Sequence, residues 1–238
     1  MNARNATNAI DAQRDYALAA ERLFRAAIAV NPTDPKPYHQ LLTAIFATRK
    51  DLDGAKELVA DGLKNGAPAL PLYLSLAEAA HKAGDQNERE AALESAKAEV
   101  DKLIKSGESP HTLYIALADG ARRAGDRDRE SAALLKALDR QPRAPETLLR
   151  LANVYLEKRN FDRASMYLNR VAGITPNSAD LFYRIAQAEE ARYRFAAAGR
   201  AYARAIELAP KNDGYRERYE AFRERVERNR EVNASHTR

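Results

Sequence analysis

With 238 residues, 45% of them hydrophobic, the chain can bury a sizeable core, and extended disorder is excluded. Its 39 basic and 34 acidic side chains leave a net charge of +5 and a pI near 9.3 without long single-sign runs, so a solvated mixed-charge surface explains the balance and an acidic or nucleic-acid partner is only hinted at. Cysteine is absent, which excludes disulfides, thiolate metal sites and cysteine nucleophiles and suits either the cytosol or an oxidising periplasm.

No stretch approaches the ~20 apolar residues of a membrane span. The opening MNARNATNAIDAQRDY lacks the basic-then-apolar run of a secretory signal, so export would need a signal already removed or lying outside this chain. Ten glycines and ten prolines punctuate segments whose apolar residues recur every three or four positions, and the alternation of strands is missing. The chain is predicted to be helical throughout.

In chain order, residues 1–34 are expected to hold an incomplete hairpin. Ala20, Phe24, Ala27 and Pro32 suit its second helix, but Arg4, Thr7, Asn8 and Asp11 are polar where a first helix needs apolar residues. Residues 35–69 carry Tyr38, Leu41, Leu42, Ile45, Ala55 and Val59, with one residue inserted between Thr48 and Asp51. Residues 70–110 carry Tyr73, Leu76, Ala77, Ala80, Leu93 and Ala96, with a turn at Gly84-Asp85. Residues 111–144 repeat this with Tyr114, Leu117, Ala118, Ala121, Leu134, Ala137 and Pro142, a turn at Gly125-Asp126, and Glu130 where a small alanine belongs. In residues 145–178 the anchors Leu148, Leu151, Ala152, Tyr155, Ala164, Leu168 and Pro176 are matched, 34 residues on, by Phe182, Ile185, Ala186, Glu189, Ala198, Tyr202 and Pro210 of residues 179–212. Tyr73 and Tyr114 are 41 apart, seven more than that period. Seven residues are about two helical turns, so a longer second helix is predicted within NEREAALESAKAEVDKLIKSGESP. Residues 213–232 place Tyr215, Tyr219, Phe222 and Val226 on one stripe of a last helix, which caps the final hairpin, meets a second copy, or is a first helix whose partner has been cut away; residues 233–238 form a polar tail. Both ends look like half repeats, as an excerpt from a longer array would.

The 34-residue period, with large anchors, paired small alanines and a closing proline, resembles the tetratricopeptide repeat pattern W-x-x-L-G-x-x-Y, A-x-x-x-F, P over almost the entire chain. The resemblance implies an all-α, right-handed α-solenoid of about six stacked helix hairpins plus a C-terminal helix, one array over residues 1–232. Alanines 152, 164, 186 and 198 would let paired helices approach closely, and the prolines would stop each second helix.

In such arrays first helices line a concave groove, at the second, fifth, ninth, twelfth and thirteenth positions of each repeat when the large anchor is fourth. Carried onto this chain, the fifth positions are His39, Leu74, Ile115, Leu149 and Tyr183, an apolar row from Leu74 onward that either receives apolar side chains of a partner or is covered by the neighbouring repeat. The other positions bring Thr43, Phe46 and Ala47; Glu78, His81 and Lys82; Asp119, Arg122 and Arg123; Asn153, Leu156 and Glu157; Gln187, Glu190 and Ala191. His81, Lys82, Arg122 and Arg123 would form a basic cluster for an acidic peptide or an anionic polymer, unless Glu78 and Asp119 neutralise it internally. The family's carboxylate clamp needs a lysine at the fifth and an asparagine at the ninth position of one repeat; Asn153 is present but Leu149 replaces the lysine, which excludes that role.

Phosphate loops, nucleophile elbows, H-E-x-x-H pairs and dinucleotide turns are all missing, and His39, His81, His111 and His236 lack ligand spacing. No enzymatic activity, cofactor or metal is therefore expected. Asn5-Ala6-Thr7 and Asn233-Ala234-Ser235 match glycosylation acceptors, as chance triplets do. An RNA-binding solenoid is the alternative to a protein-binding scaffold, but Leu74, Ile115 and Leu149 occupy the central sites where a base reader needs polar side chains. A generic cytoplasmic adaptor or co-chaperone is a further alternative. The alanine- and arginine-rich, degenerate repeats also resemble the periplasmic region of bacterial exopolysaccharide export proteins of the Pel, cellulose and poly-N-acetylglucosamine systems. That resemblance implies recruitment of a periplasmic polymer-modifying enzyme, a biofilm role at the outer membrane, and a polysaccharide as a further ligand.

Overall fold

In the computed structural model, which describes residues 3–49 and 51–236, all regular elements are α-helices. They are α1 (Ala3–Val30), α2 (Pro35–Arg49), α3 (Leu52–Lys64), α4 (Ala69–Ala83), α5 (Gln86–Lys105), α6 (Pro110–Arg123), α7 (Arg127–Arg140), α8 (Pro145–Glu157), α9 (Phe161–Ala172), α10 (Ala179–Ala191), α11 (Phe195–Leu208) and α12 (Asp213–His236). The chain forms two compact units, Met1–Ala137 and Leu138–Arg238, and the boundary falls inside α7, within the expected fourth repeat.

Local chemistry starts and stops the helices. Asp51, Asp85, Asn160 and Ser178 each accept a hydrogen bond from a backbone N–H one turn into α3, α5, α9 and α10, satisfying donors that the first turn leaves open. Pro110 and Pro145 begin α6 and α8, where a missing N–H costs nothing. Gly84 ends α4 in the left-handed region at φ 78°, returning its N–H to the last turn.

In the N-terminal unit, successive helices pack as hairpins, and α4 also touches α2 and α6, so first helices lie side by side. The alanines permit this: Ala55, Ala77, Ala80, Ala96, Ala118 and Ala121 are fully buried. At Gly62 of α3 the approach is closer still, since a Cβ there would lie 2.8 Å from Leu72 Cδ1 and 3.0 Å from Tyr38 Cε1. The predicted extension is α5, 20 residues against 12 to 14 in α3, α7, α9 and α11, and its buried Ala92, Leu93, Ala96 and Val100 keep one face inward. Glu130 is 2% exposed and accepts from Arg127 Nη1 at 2.6 Å, so a charged pair fills the space where the pattern expected alanine.

Two expectations are corrected. The incomplete first hairpin is instead one 28-residue helix, α1, packed on α2. Tyr16, Leu23 and Val30 stand exposed on it at seven-residue spacing. The side chains of Arg4, Thr7, Asn8, Asp11, Phe46, Ala47 and His236 and both glycosylation triplets lie outside those described, as does Lys50 in the expected insertion. The polar tail is helical through His236, because α12 continues past residue 232; residues 237–238 lie outside the described part.

In the C-terminal unit α8 to α12 pack in sequence order. The aromatic stripe of α12 turns inward: Phe222 is 4% exposed, and Tyr202 of α11 lies 5.9 Å from Tyr219 and 5.3 Å from Phe222 between ring centroids. The stripe therefore packs on α11 as a cap would, with Phe222 buried and Tyr215, Tyr219 and Val226 half-buried.

Candidate functional site

First helices α2, α4 and α6 enclose an open cleft of about 550 Å³ in the N-terminal unit, with Leu70, Leu74 and Ala116 among its apolar lining and His39, Asp119 and Arg123 as polar groups. His39 Nδ1 lies 2.8 Å from Ser75 Oγ, and that hydroxyl donates to Pro71 O at 2.8 Å. A hydroxyl has one hydrogen, so with Ser75 donating to Pro71 O it is Nδ1–H that donates within the His39–Ser75 pair.

Glu78, on α4, accepts from Lys82 Nζ at 2.7 Å and from Arg123 Nε at 2.9 Å. Burial pushes its carboxyl up, but the hydrogen bond and charge of Lys82 and the charge of Arg123 outweigh this and hold it below its ordinary value of 4.5. A depressed carboxylate stabilises the fold fully above the unfolded value, and that contribution is lost as pH falls through the folded one. Acid titration from pH 6 to 3 is therefore expected to destabilise the wild-type N-terminal unit more than a Glu78→Gln variant below about pH 4.5; parallel stability curves would remove the ion pair from the argument.

The expected groove residues are distributed unevenly. Leu74 is 4% exposed, because α6 carries Gly120 opposite it: a Cβ on Gly120 would stand 2.3 Å from Leu74 Cδ2. The neighbouring hairpin thus covers most of Leu74, the second of the two arrangements the sequence left open, while an edge of the side chain still lines the cleft. Ile115 and Asp119 are half-buried; His81, Lys82, Arg122 and Arg123 lie toward solvent. The basic cluster is partly neutralised, since Lys82 and Arg123 share Glu78. His81 lies against the α6–α7 turn, where its ring atoms would come within 2.5–3.0 Å of a Cβ on Gly125.

In the C-terminal unit Leu149, Asn153 and Leu156 are half-buried and Gln187 is exposed. Asn153 Oδ1 accepts from Arg184 Nη1 at 3.2 Å, and Arg184 Nε donates to Asp180 at 2.7 Å. Tyr183 is half-buried and stacks on Tyr215 of α12 with centroids 4.8 Å apart, so the last helix partly covers this position. Glu190, also expected in the groove, is 9% exposed and accepts from Tyr202 OH at 2.7 Å, from Arg218 Nη2 at 3.0 Å and from Arg225.

Two backbone positions escaped the sequence reading. Arg159 and Tyr193 adopt φ 55° and 58°, in turns where Gly84 and Gly125 stand in the earlier hairpins. The signal was available: residues 125, 159 and 193 are 34 apart, so the glycine at the first predicts a left-handed residue at the other two. A non-glycine residue there costs about 1–2 kcal/mol and a glycine loses about 0.5–1 through chain entropy. Arg159→Gly is expected to stabilise the C-terminal unit by roughly 0.5–1 kcal/mol, read as slower hydrogen exchange of the α8 and α9 amides.

Residues 145–178 match the tetratricopeptide repeat family model. Among solved structures, the chain is similar to BtubC (BKLC) from P. vanneervenii at 17% identity over 87% of this chain and 93% of that one, with a TM-score of 0.54. It is also similar to YrrB, described as a TPR protein with an unusual peptide-binding site, at 17% identity over 83% and 97% with a TM-score of 0.47. A MamA structure gives 20% identity over 76% and 94%, also at 0.47. No curated protein matches the sequence. The likeness is one of fold, and it agrees with the helices already described: each unit is a stack of tetratricopeptide-type hairpins, the α-solenoid architecture. Among the described residues no group of three or more His, Asp or Glu could hold a metal ion, and no helix is long and apolar enough to cross a membrane.

Proposed function

We propose that the chain is a protein-binding scaffold whose N-terminal unit receives an extended or helical segment of a partner between α2, α4 and α6. The observation that carries this reading is the cleft of about 550 Å³, in which apolar side chains from two hairpins share the lining with His39, Asp119 and Arg123. An apolar recess edged by a few fixed polar groups is what peptide recognition requires, and the Ser75 hydroxyl beside His39 is engaged with the Pro71 carbonyl. The test is photocrosslinking in the native host: a benzophenone side chain at Gln40, on the cleft rim, should trap a protein that the same group at Lys97, on α5, does not. Equal labelling from both positions would remove the cleft from the function.

The narrower form places the scaffold in the periplasm, holding a polysaccharide-modifying enzyme beside an exopolysaccharide export pore, and it is supported by the sequence resemblance alone. It requires a periplasmic deacetylase or hydrolase among the proteins trapped from Gln40. Trapping of cytoplasmic proteins alone would leave the scaffold and discard the export role.

A further inference from the structure

The net charge of +5 is not spread along the chain. Residues 138–238 hold 20 basic and 14 acidic side chains, a net +6, whereas residues 1–137 hold 19 and 20, a net −1. Within the C-terminal unit, two hairpin turns concentrate the excess. The α8–α9 turn carries Lys158 and Arg159, and the α10–α11 turn carries Arg192 and Arg194. Arg192 is occupied, donating to Asp162 at 2.7 Å and to Glu189 at 2.8 Å. Arg159 and Arg194 are exposed, and among the described residues neither has an ion-pair partner.

Two neighbouring clefts open at these turns. One, of about 570 Å³, is lined by cationic groups including Lys158, Arg192 and Arg194; the other, of about 480 Å³, has Phe161, Tyr193 and Phe195 on its wall. Arg159 and Phe161 line both. Glu190, the one carboxylate lining the aromatic cleft, is already held by Tyr202, Arg218 and Arg225. Tyr193 is 81% exposed and stands edge-on to Phe195 at 6.2 Å. It also sits in the left-handed conformation that glycine serves in the earlier hairpins. The conformation costs a non-glycine residue about 1–2 kcal/mol, which glycine at this position would relieve.

We infer that this turn edge is a docking site for an acidic peptide segment carrying an aromatic or large apolar side chain. Carboxylates would pair with the guanidinium groups of Arg159 and Arg194, while the apolar side chain enters beside Tyr193. The chemistry favours peptide over nucleic acid. Single-strand binders stack successive bases on several open rings, and here Tyr193 alone is open while Phe161 and Phe195 are half-buried.

The strained turns supply the controls. Tyr193→Gly and Arg159→Gly each remove a proposed contact and relieve the backbone, so they should hold or raise the amide protection of α8 to α11 while weakening binding. The probe is a dye-labelled ten-residue peptide of glutamates with two phenylalanines, read by fluorescence anisotropy against the full chain. Binding is expected to fall roughly tenfold in each glycine variant and in Arg194→Ala, and by a similar factor when the peptide's phenylalanines become alanine. A lysine-for-glutamate peptide should not bind. The proposal is overturned if the acidic peptide fails to bind, if all three variants bind it as the wild type does, or if oligouridylate or an alginate oligomer binds these turns more tightly.

Discussion

Replacing Gly120 by alanine should destabilise the N-terminal unit by about 1–2 kcal/mol, against the rule that alanine improves a helix. Propensity alone favours the change by roughly 1 kcal/mol. The new methyl, however, would stand 2.3 Å from Leu74 Cδ2, 2.8 Å from Cγ and 3.0 Å from Cβ. Contact with Cβ and Cγ cannot be relieved by rotating the far end of the side chain, and Leu74 is 4% exposed in a packed layer. Overpacking of this kind costs about 1–3 kcal/mol, enough to exceed the propensity gain. Leu74→Ala should cost about 2–4 kcal/mol through lost contacts and a cavity. In the double variant the alanine methyl at 120 enters the space vacated at 74, so the combined loss should fall short of the sum by at least about 1 kcal/mol. Because two units contribute to global melting, the measurement is hydrogen exchange of α4 and α6 amides rather than a single midpoint. Were Leu74 a free groove residue, its truncation would change little, within about 0.5 kcal/mol, and additive losses would uncouple it from Gly120.

The same pair of residues shows how far the sequence reaches. Periodicity located the helix pairs from residue 35 onward, and the seven-residue excess before Tyr114 announced the long α5, because both depend on spacing along one chain segment. Whether a fifth-position side chain faces solvent depends on its neighbour in another hairpin. Gly120 lets α6 close over Leu74, and Tyr215 on α12 reaches Tyr183, and neither approach is encoded near the residue it covers. Charge was hidden differently: a total of +5 looks bland until it is divided between the two units. The turn residues Arg159 and Tyr193 were within reach of the period, but attention to apolar positions passes over a left-handed residue that is not glycine.

Glu190→Ala should loosen the C-terminal cap while leaving α8 and α9 paired. This carboxylate is 9% exposed and ties three groups to α10: Tyr202 OH of α11 at 2.7 Å, Arg218 of α12 at 3.0 Å, and Arg225 about two turns further along α12. Removing one partner of a fully buried ion pair costs about 3–5 kcal/mol, but Arg218 and Arg225 are 38% and 46% exposed, and solvent screens them. About 2–3 kcal/mol is therefore expected, part of it from the Tyr202 hydroxyl left without its acceptor in a buried setting. Glu190→Gln keeps an acceptor for Tyr202 and loses the charge, so it should fall between wild type and alanine. Arg218→Ala alone should cost less than about 1 kcal/mol, because Arg225 still neutralises the carboxylate. Amide exchange should then rise along α12 in the order wild type, Gln, Ala, with α8 and α9 unchanged. The aromatic contacts of Phe222 with Tyr202 and Phe195 are independent of the charge, so if Gln and Ala leave α12 as protected as the wild type, those rings hold the cap and Glu190 is merely buried beneath it.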